Sequence, residues 1–167
     1  MDRLFLEHLR LNHFKNFDNE HFSFVNGFNI ITGKNGMGKT NVLDAIYYQS
    51  VFKSYFARKD SDLIQQGFDF FRIEGSWKLK DEALKIAQAY RDGQKMFFLN
   101  GQKDSNKSEF IGQLPVVLIC PEDQLMIREG SRIRRKIFDH ILSLTDQKYL
   151  RVLMQYNRLL RQRNQYL

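Results

Sequence analysis

The spacing of apolar positions changes along the chain, and each change marks an element. Phe5, Leu9 and Leu11 sit in a segment, Leu4 to Phe14, whose pattern predicts a strand. A break at Lys15-Asn16 leads to a second short run with Phe22, Phe24 and Val25, and Asn26-Gly27 marks a turn. The third run, Phe28-Asn29-Ile30-Ile31-Thr32, is short, apolar and partly β-branched, which predicts a buried strand. From Asn41 to Val51 the period becomes helical, with Leu43, Ile46, Tyr47 and Val51 spaced for one apolar face. Asp60 to Ile64 predicts a short helical turn closed by Gln66-Gly67.

Alternation returns in the middle of the chain. Phe71, Ile73, Trp77 and Leu79 alternate between Phe68 and Leu79, Leu84 to Tyr90 does likewise, and Met96 to Leu99 is a further run. Asp92-Gly93 and Asn100-Gly101 are hairpin signals, so residues 68–103 read as an antiparallel meander. Gln102 to Gly112 reads as a loop with a short helix over Lys107 to Ile111. Leu114 to Cys120 then reads as a buried strand with Pro115 at its start. From Ser131 the period is that of long helices. One apolar stripe holds Ile133, Ile137, Ile141 and Leu142, and another holds Tyr149, Val152, Leu153, Tyr156, Leu159, Leu160 and Leu167.

Charge divides the chain as well. Its net is +7, but residues 1–127 balance at 16 basic and 16 acidic side chains. Residues 128–167 hold 10 basic and three acidic ones, so the excess lies in the tail and suggests a polyanion partner or a neutralising neighbour. A first region of 1–127 and a helical region of 128–167 are therefore expected. No apolar run approaches the roughly 20 residues of a membrane helix, and Met1-Asp2-Arg3 opens no signal-peptide pattern. Cys120 is the single cysteine, which excludes a disulfide framework and fits a reducing cytoplasm.

The most specific chemistry lies at Gly33-Lys34-Asn35-Gly36-Met37-Gly38-Lys39-Thr40, which fits the phosphate-binding pattern G-x-x-x-x-G-K-[ST] between a strand signal and a helix signal. Glycines let backbone N–H groups approach a phosphate chain, and the following helix N-terminus adds partial positive charge. Lys39 would reach the β- and γ-phosphates of ATP, and the Thr40 hydroxyl would hold Mg²⁺. The β-rich stretch ahead of this loop departs from a simple doubly wound fold, where the loop follows the first strand. It points to an ATP-binding-cassette type of ATPase head: an α/β half-domain with a mixed sheet, a flanking antiparallel β region and the start of a helical lobe.

Other candidates are less specific. Val116 to Ile119 is separated from Glu122 and Asp123 by Cys120-Pro121, which argues against a metal-binding carboxylate at that strand's end; a nucleotide-sensing loop and a plain turn both remain. Arg132, Arg135 and Lys136 share one helix face with Arg134 to its side, a pattern suited to DNA or partner phosphates and equally to pairing with an adjacent lobe. Lys15-Asn16-Phe17 is either a nucleotide contact or a hairpin turn. The four histidines have no ligand spacing.

Leu9 to Phe17, the loop running on through Asn41-Val42-Leu43-Asp44-Ala45-Ile46, Leu114 to Val117, Pro121-Glu122-Asp123, Arg134 to Asp139 and Arg161-Gln162-Arg163-Asn164 occur in an order that resembles the N-terminal part of the RecF family, bacterial repair proteins related to SMC-type ATPase heads. The resemblance spans the chain, with Ser131 in place of a frequent proline and Arg58 as the candidate for an arginine expected after the first helix. It implies ATP-dependent binding of single-stranded or gapped DNA in replication, recombination and repair, support for RecA loading and the SOS response, and mediator partners of the RecO and RecR type. It further implies an ATP-dependent homodimer, a signature motif and hydrolytic carboxylate beyond residue 167, and weak ATPase activity absent from such a fragment. A stand-alone small NTPase or kinase, and a basic interaction module with a structural nucleotide, remain alternatives.

Overall fold

The computed structural model describes residues 4–79, 82–104, 110–124 and 131–166. They divide into two compact units, residues 1–107 and 108–167. The shift in charge at 127/128 therefore lies inside the second unit.

The first unit holds β1 (Phe5–Phe14), β2 (Phe17–Ser23), α1 (Lys39–Val51), β3 (Phe70–Leu79), β4 (Glu82–Arg91), β5 (Gln94–Leu99) and β6 (Gln102–Asp104). The strands form one sheet in the order β2-β1-β3-β4-β5-β6, antiparallel at every ladder. The α/β class is as expected, but no parallel pairing occurs among the described residues. Two hairpin turns follow their sequence signals: Asp92 and Gly93 have φ of 50° and 75°, and Asn100 and Gly101 have 49° and 84°. Paired left-handed residues match the twist of the strands they join.

Period two puts Leu9, Leu11, Phe71, Ile73 and Phe97 on one face, where all are fully buried. α1 packs on this face. Its buried side chains are Val42, Asp44, Ala45, Tyr47, Tyr48, Gln49 and Ser50, while Leu43 is exposed. Of the apolar stripe expected through Leu43, Ile46, Tyr47 and Val51, only Tyr47 is buried; Ile46 and Val51 are half-buried. Polar groups share the buried face because each has a partner. Gln49 Nε2 donates to the Ile73 carbonyl at 3.2 Å, Gln49 Oε1 accepts from Trp77 Nε1 at 3.2 Å, and Gln88 Nε2 donates to the Gln49 carbonyl at 3.0 Å. A side chain at Gly75 would collide with the Gln49 carboxamide and the Trp77 indole.

Two expected strands are not strands. Residues 28–32 have no regular structure, and Phe28 and Ile30 are 100% and 87% exposed. Residues 114–120 likewise join no ladder; Leu114 is buried, but Val117 is 86% and Ile119 80% exposed. Both have strand composition, but no neighbouring strand among the described residues completes their hydrogen bonds.

The second unit contains a short 3₁₀ turn (Pro121–Gln124), α2 (Ser131–Thr145) and α3 (Gln147–Gln165). Asp146 caps α3 by accepting from Lys148 N at 2.7 Å and Tyr149 N at 3.2 Å. Tyr149 OH donates to Asp139 Oδ1 at 2.6 Å, tying α3 to α2, and this bond raises the Tyr149 pKa. On α3 the buried residue is Leu150, whereas Val152, Tyr156 and Leu159 of the expected stripe are exposed. No helix among the described residues is long and apolar enough to cross a membrane.

Candidate nucleotide-binding site

Gly38 closes the glycine loop and caps α1 with φ 94° and ψ 15°. That left-handed conformation favours glycine, and the space does too: a Cβ there would lie 2.6 Å from the Asn16 carboxamide and 2.7 Å from Phe17 Cζ. Gly36 has φ 84°, and a Cβ there would meet nothing within 4 Å. One glycine is required by contact, the other by the turn alone. The helix begins at once, with Asn41 N and Val42 N donating to the Gly38 carbonyl at 2.8 and 3.1 Å. A helix start leaves backbone N–H groups without internal partners.

Lys39 lies across this loop. Its Nζ donates to the carbonyls of Gly33 at 2.9 Å and Lys34 at 2.8 Å. Lys34, Asn35, Met37 and Thr40 are exposed around it. An ammonium, a hydroxyl and a helix N-terminus fit a magnesium-bound polyphosphate: the cation meets phosphate charge and the hydroxyl suits a hard metal that keeps most of its other ligands as water or phosphate oxygen. Among the described residues no cluster of three or more His, Cys, Asp or Glu side chains is placed to hold a metal by itself.

The β1–β2 turn supports the loop from one side. Phe14 pairs with Phe17, so Lys15-Asn16 is a two-residue turn, with Lys15 at φ 55°. Asn16 Nδ2 donates to the Met37 carbonyl at 3.2 Å, and Asn16 Oδ1 accepts from Asn41 Nδ2 at 2.7 Å. One carboxamide thus grips the loop and the first turn of α1. The sequence offers a hairpin turn or a nucleotide contact here; the structure shows a hairpin turn docked on the loop.

Lys15 points to the other end of the same network. Its Nζ pairs with Asp44 Oδ2 at 2.6 Å, and the Asp44 side chain is fully buried. Asp44 also accepts from Ser54 Oγ at 2.7 Å and Tyr55 N at 2.8 Å, while Ser54 Oγ accepts from Phe56 N and Ala57 N. A carboxylate with three donors satisfies the requirement that buried charge be paired and hydrogen-bonded. Burial, and then the Asp44 charge, push the neighbouring Tyr47 phenol up to about 12. Burial and the Asp60 carboxylate push Tyr48 up as well, and its hydroxyl donates to Asp60 Oδ1 at 2.9 Å. Asp44 and Ser54 escape a reading based on apolar period because polar letters count there as surface. The signal that finds them is a basic turn and an acid one helix turn beyond the glycine motif.

Asp123 Oδ2 accepts from Cys120 N at 2.8 Å and from Cys120 Sγ at 3.2 Å, so it closes its own turn. Arg58 is exposed. Arg132, Arg134, Arg135 and Lys136 all lie on α2; Arg135 is exposed, and the side chains of the other three fall outside the described residues.

A family model described as the RecF/RecN/SMC N-terminal domain matches residues 5–123. The DNA replication and repair protein RecF of Flavobacterium johnsoniae is 41% identical over 160 residues, covering 95% of this chain and 45% of that protein. RecF of a Geobacillus strain is 35% identical over 98% of this chain and 44% of its own length. A solved structure described as the recombination mediator protein RecF–ATP in the RecFOR pathway superposes with TM-score 0.89 at 32% identity, over 99% of this chain and 46% of that one. The SMC head domain from Thermotoga maritima superposes with TM-score 0.52 at 27% identity, over 62% of this chain and 40% of that one. The chain thus spans a little under half the length of its RecF relatives.

Proposed function

The chain belongs to the RecF/RecN/SMC N-terminal domain family, and from that premise we propose that it holds the nucleotide of an ATP-controlled DNA replication and repair protein. The observation that carries the reading is Lys39, whose ammonium rests on the Gly33 and Lys34 carbonyls across a glycine loop. In this mechanism Lys39 exchanges those carbonyls for the β- and γ-phosphate oxygens of ATP. The N–H groups left free at the start of α1 would be turned to the same phosphates, with Lys34, Asn35 and Met37 exposed beside them. Thr40 Oγ1 would hold Mg²⁺, which would supply neutralising charge to the phosphates. Asn16 keeps Met37 and Asn41 in register while the lysine changes partners.

The wider reading follows the family. ATP joins two copies of the protein, the closed homodimer holds single-stranded or gapped DNA, and slow hydrolysis reopens it. α2, with Arg132, Arg134, Arg135 and Lys136, offers basic side chains for DNA or a partner. The biological setting proposed is the cytoplasm, with mediator partners of the RecO and RecR type, RecA loading at gaps and the SOS response.

Titration with a fluorescent ATP analogue tests the core of this reading. Lys39→Ala in the full-length protein is expected to weaken binding at least about 100-fold, the scale of losing a charge-assisted contact to a polyphosphate. Equal affinity of variant and wild type would overturn the assignment of the loop.

A further inference from the structure

The sheet face turned away from α1 is polar and basic. Cross-strand register aligns His21, Arg10, Glu74, Ala87, Phe98 and Lys103 into one row that crosses all six strands. A second row runs through Ser23, His8, Ser76 and Lys85. Ala87 and Ser76 are small side chains in the middle of these rows, and a cavity of about 430 Å³ opens there, with His8, Arg10, His21, Arg72 and Lys85 in its lining.

The charges around the cavity are unequal. Glu74 is its acidic lining residue and is already engaged, with Arg72 Nη2 at 2.7 Å and Nε at 2.8 Å. Arg72 also lies over the Phe98 ring at 5.1 Å, which fixes the guanidinium against the wall. Arg10 donates through Nε to Asn19 Oδ1 at 3.2 Å. Among the described residues neither Arg10 nor Lys85 forms an ion pair. His8 and His21 stand side by side, their centroids 5.3 Å apart. The cavity therefore offers donors and positive charge to an anion and little to a cation.

We propose that this face binds the phosphodiester backbone of a nucleic acid. Its extent selects a polymer over a mononucleotide: a row across six strands runs roughly 24 Å at the usual strand spacing. Phosphate contacts of this kind give affinity without reading sequence. Nothing in the linear sequence marks the site, since residues 1–127 are neutral in sum; the sheet brings Arg10, Arg72, Lys85 and Lys103 to one side. α1 occupies the opposite face, so nucleotide and nucleic acid would lie on the two sides of one sheet. The inference rests on the DNA-binding reading above and assigns a surface to it.

The test is DNA binding by the full-length protein with ATP and Mg²⁺, using a labelled oligothymidylate and a labelled duplex over a range of salt. Arg10→Ala/Lys85→Ala is expected to weaken binding at least about tenfold at physiological salt and to lower the slope of log K against log salt by about 2. ATP affinity should not change. Ser76→Glu, which places a carboxylate in the cavity while leaving both cations intact, should weaken binding similarly. Unchanged affinity and slope in both variants, with a wild type that binds DNA, would overturn this surface and leave the ATP and DNA reading standing. A wild type that binds neither DNA would overturn both. Competition by thymidine monophosphate as effective, phosphate for phosphate, as by the oligonucleotide would overturn the polymer assignment.

Discussion

β1 and residues 28–32 are built from the same kinds of residue and end in opposite environments. β1 has β2 on one edge and β3 on the other, and Leu9 and Leu11 are fully buried. Residues 28–32 carry Phe28, Ile30 and Ile31 in a comparable density, yet join no ladder and leave Phe28 and Ile30 in solvent. The difference is the neighbour. An apolar extended segment is buried when strands complete its hydrogen bonds, and composition does not supply them. Residues 116–120 repeat the lesson, with Val117 and Ile119 exposed.

This contrast can be broken most severely at the end of β1. Lys15→Met leaves the Asp44 carboxylate buried with two remaining donors and is expected to cost about 3 kcal/mol in urea unfolding. A loss under about 1 kcal/mol would mean that the ammonium interacts mainly with water and the turn is not anchored. The paired and unpaired segments can then be compared directly. Leu11→Ala should cost about 3 kcal/mol through its cavity, whereas Ile30→Ala in the 167-residue chain should change stability by less than about 0.5 kcal/mol. Equal losses would show that residues 28–32 are packed. The effect on nucleotide binding is tested at the turn itself. Asn16→Ala removes its bonds to the glycine loop at Met37 and to Asn41 in α1, and should weaken ATP binding roughly fivefold, the worth of about one hydrogen bond, with little change in Tm. A large fall in Tm instead would make Asn16 a folding residue.

Much of this was legible in the residues. The glycine motif fixes the loop and the start of α1, and Asp92-Gly93 and Asn100-Gly101 place the hairpins because local backbone conformation is decided locally. The pairing of β1 with β3 was not legible, since 55 residues separate Phe14 from Phe70 and a ladder between them depends on everything folded in between. Apart from Tyr47, the buried face of α1 departs from the apolar pattern for a different reason. Asp44, Gln49 and Ser50 are polar, and only their partners on other elements make burial tolerable. The same holds for Asn16, whose turn chemistry is visible but whose grip on Met37 and Asn41 is not.

Gln49 carries a mechanical consequence. Its carboxamide enters the space left by Gly75, bonds Ile73 and Trp77, and its carbonyl accepts from Gln88. α1 is keyed to β3 and β4 like a shaft with a pin. Slippage by one helical turn would strand these buried groups without partners, at about 1–3 kcal/mol each. Any rearrangement that begins at Lys39 must therefore either stay within the loop or carry the sheet along with the helix as one rigid piece.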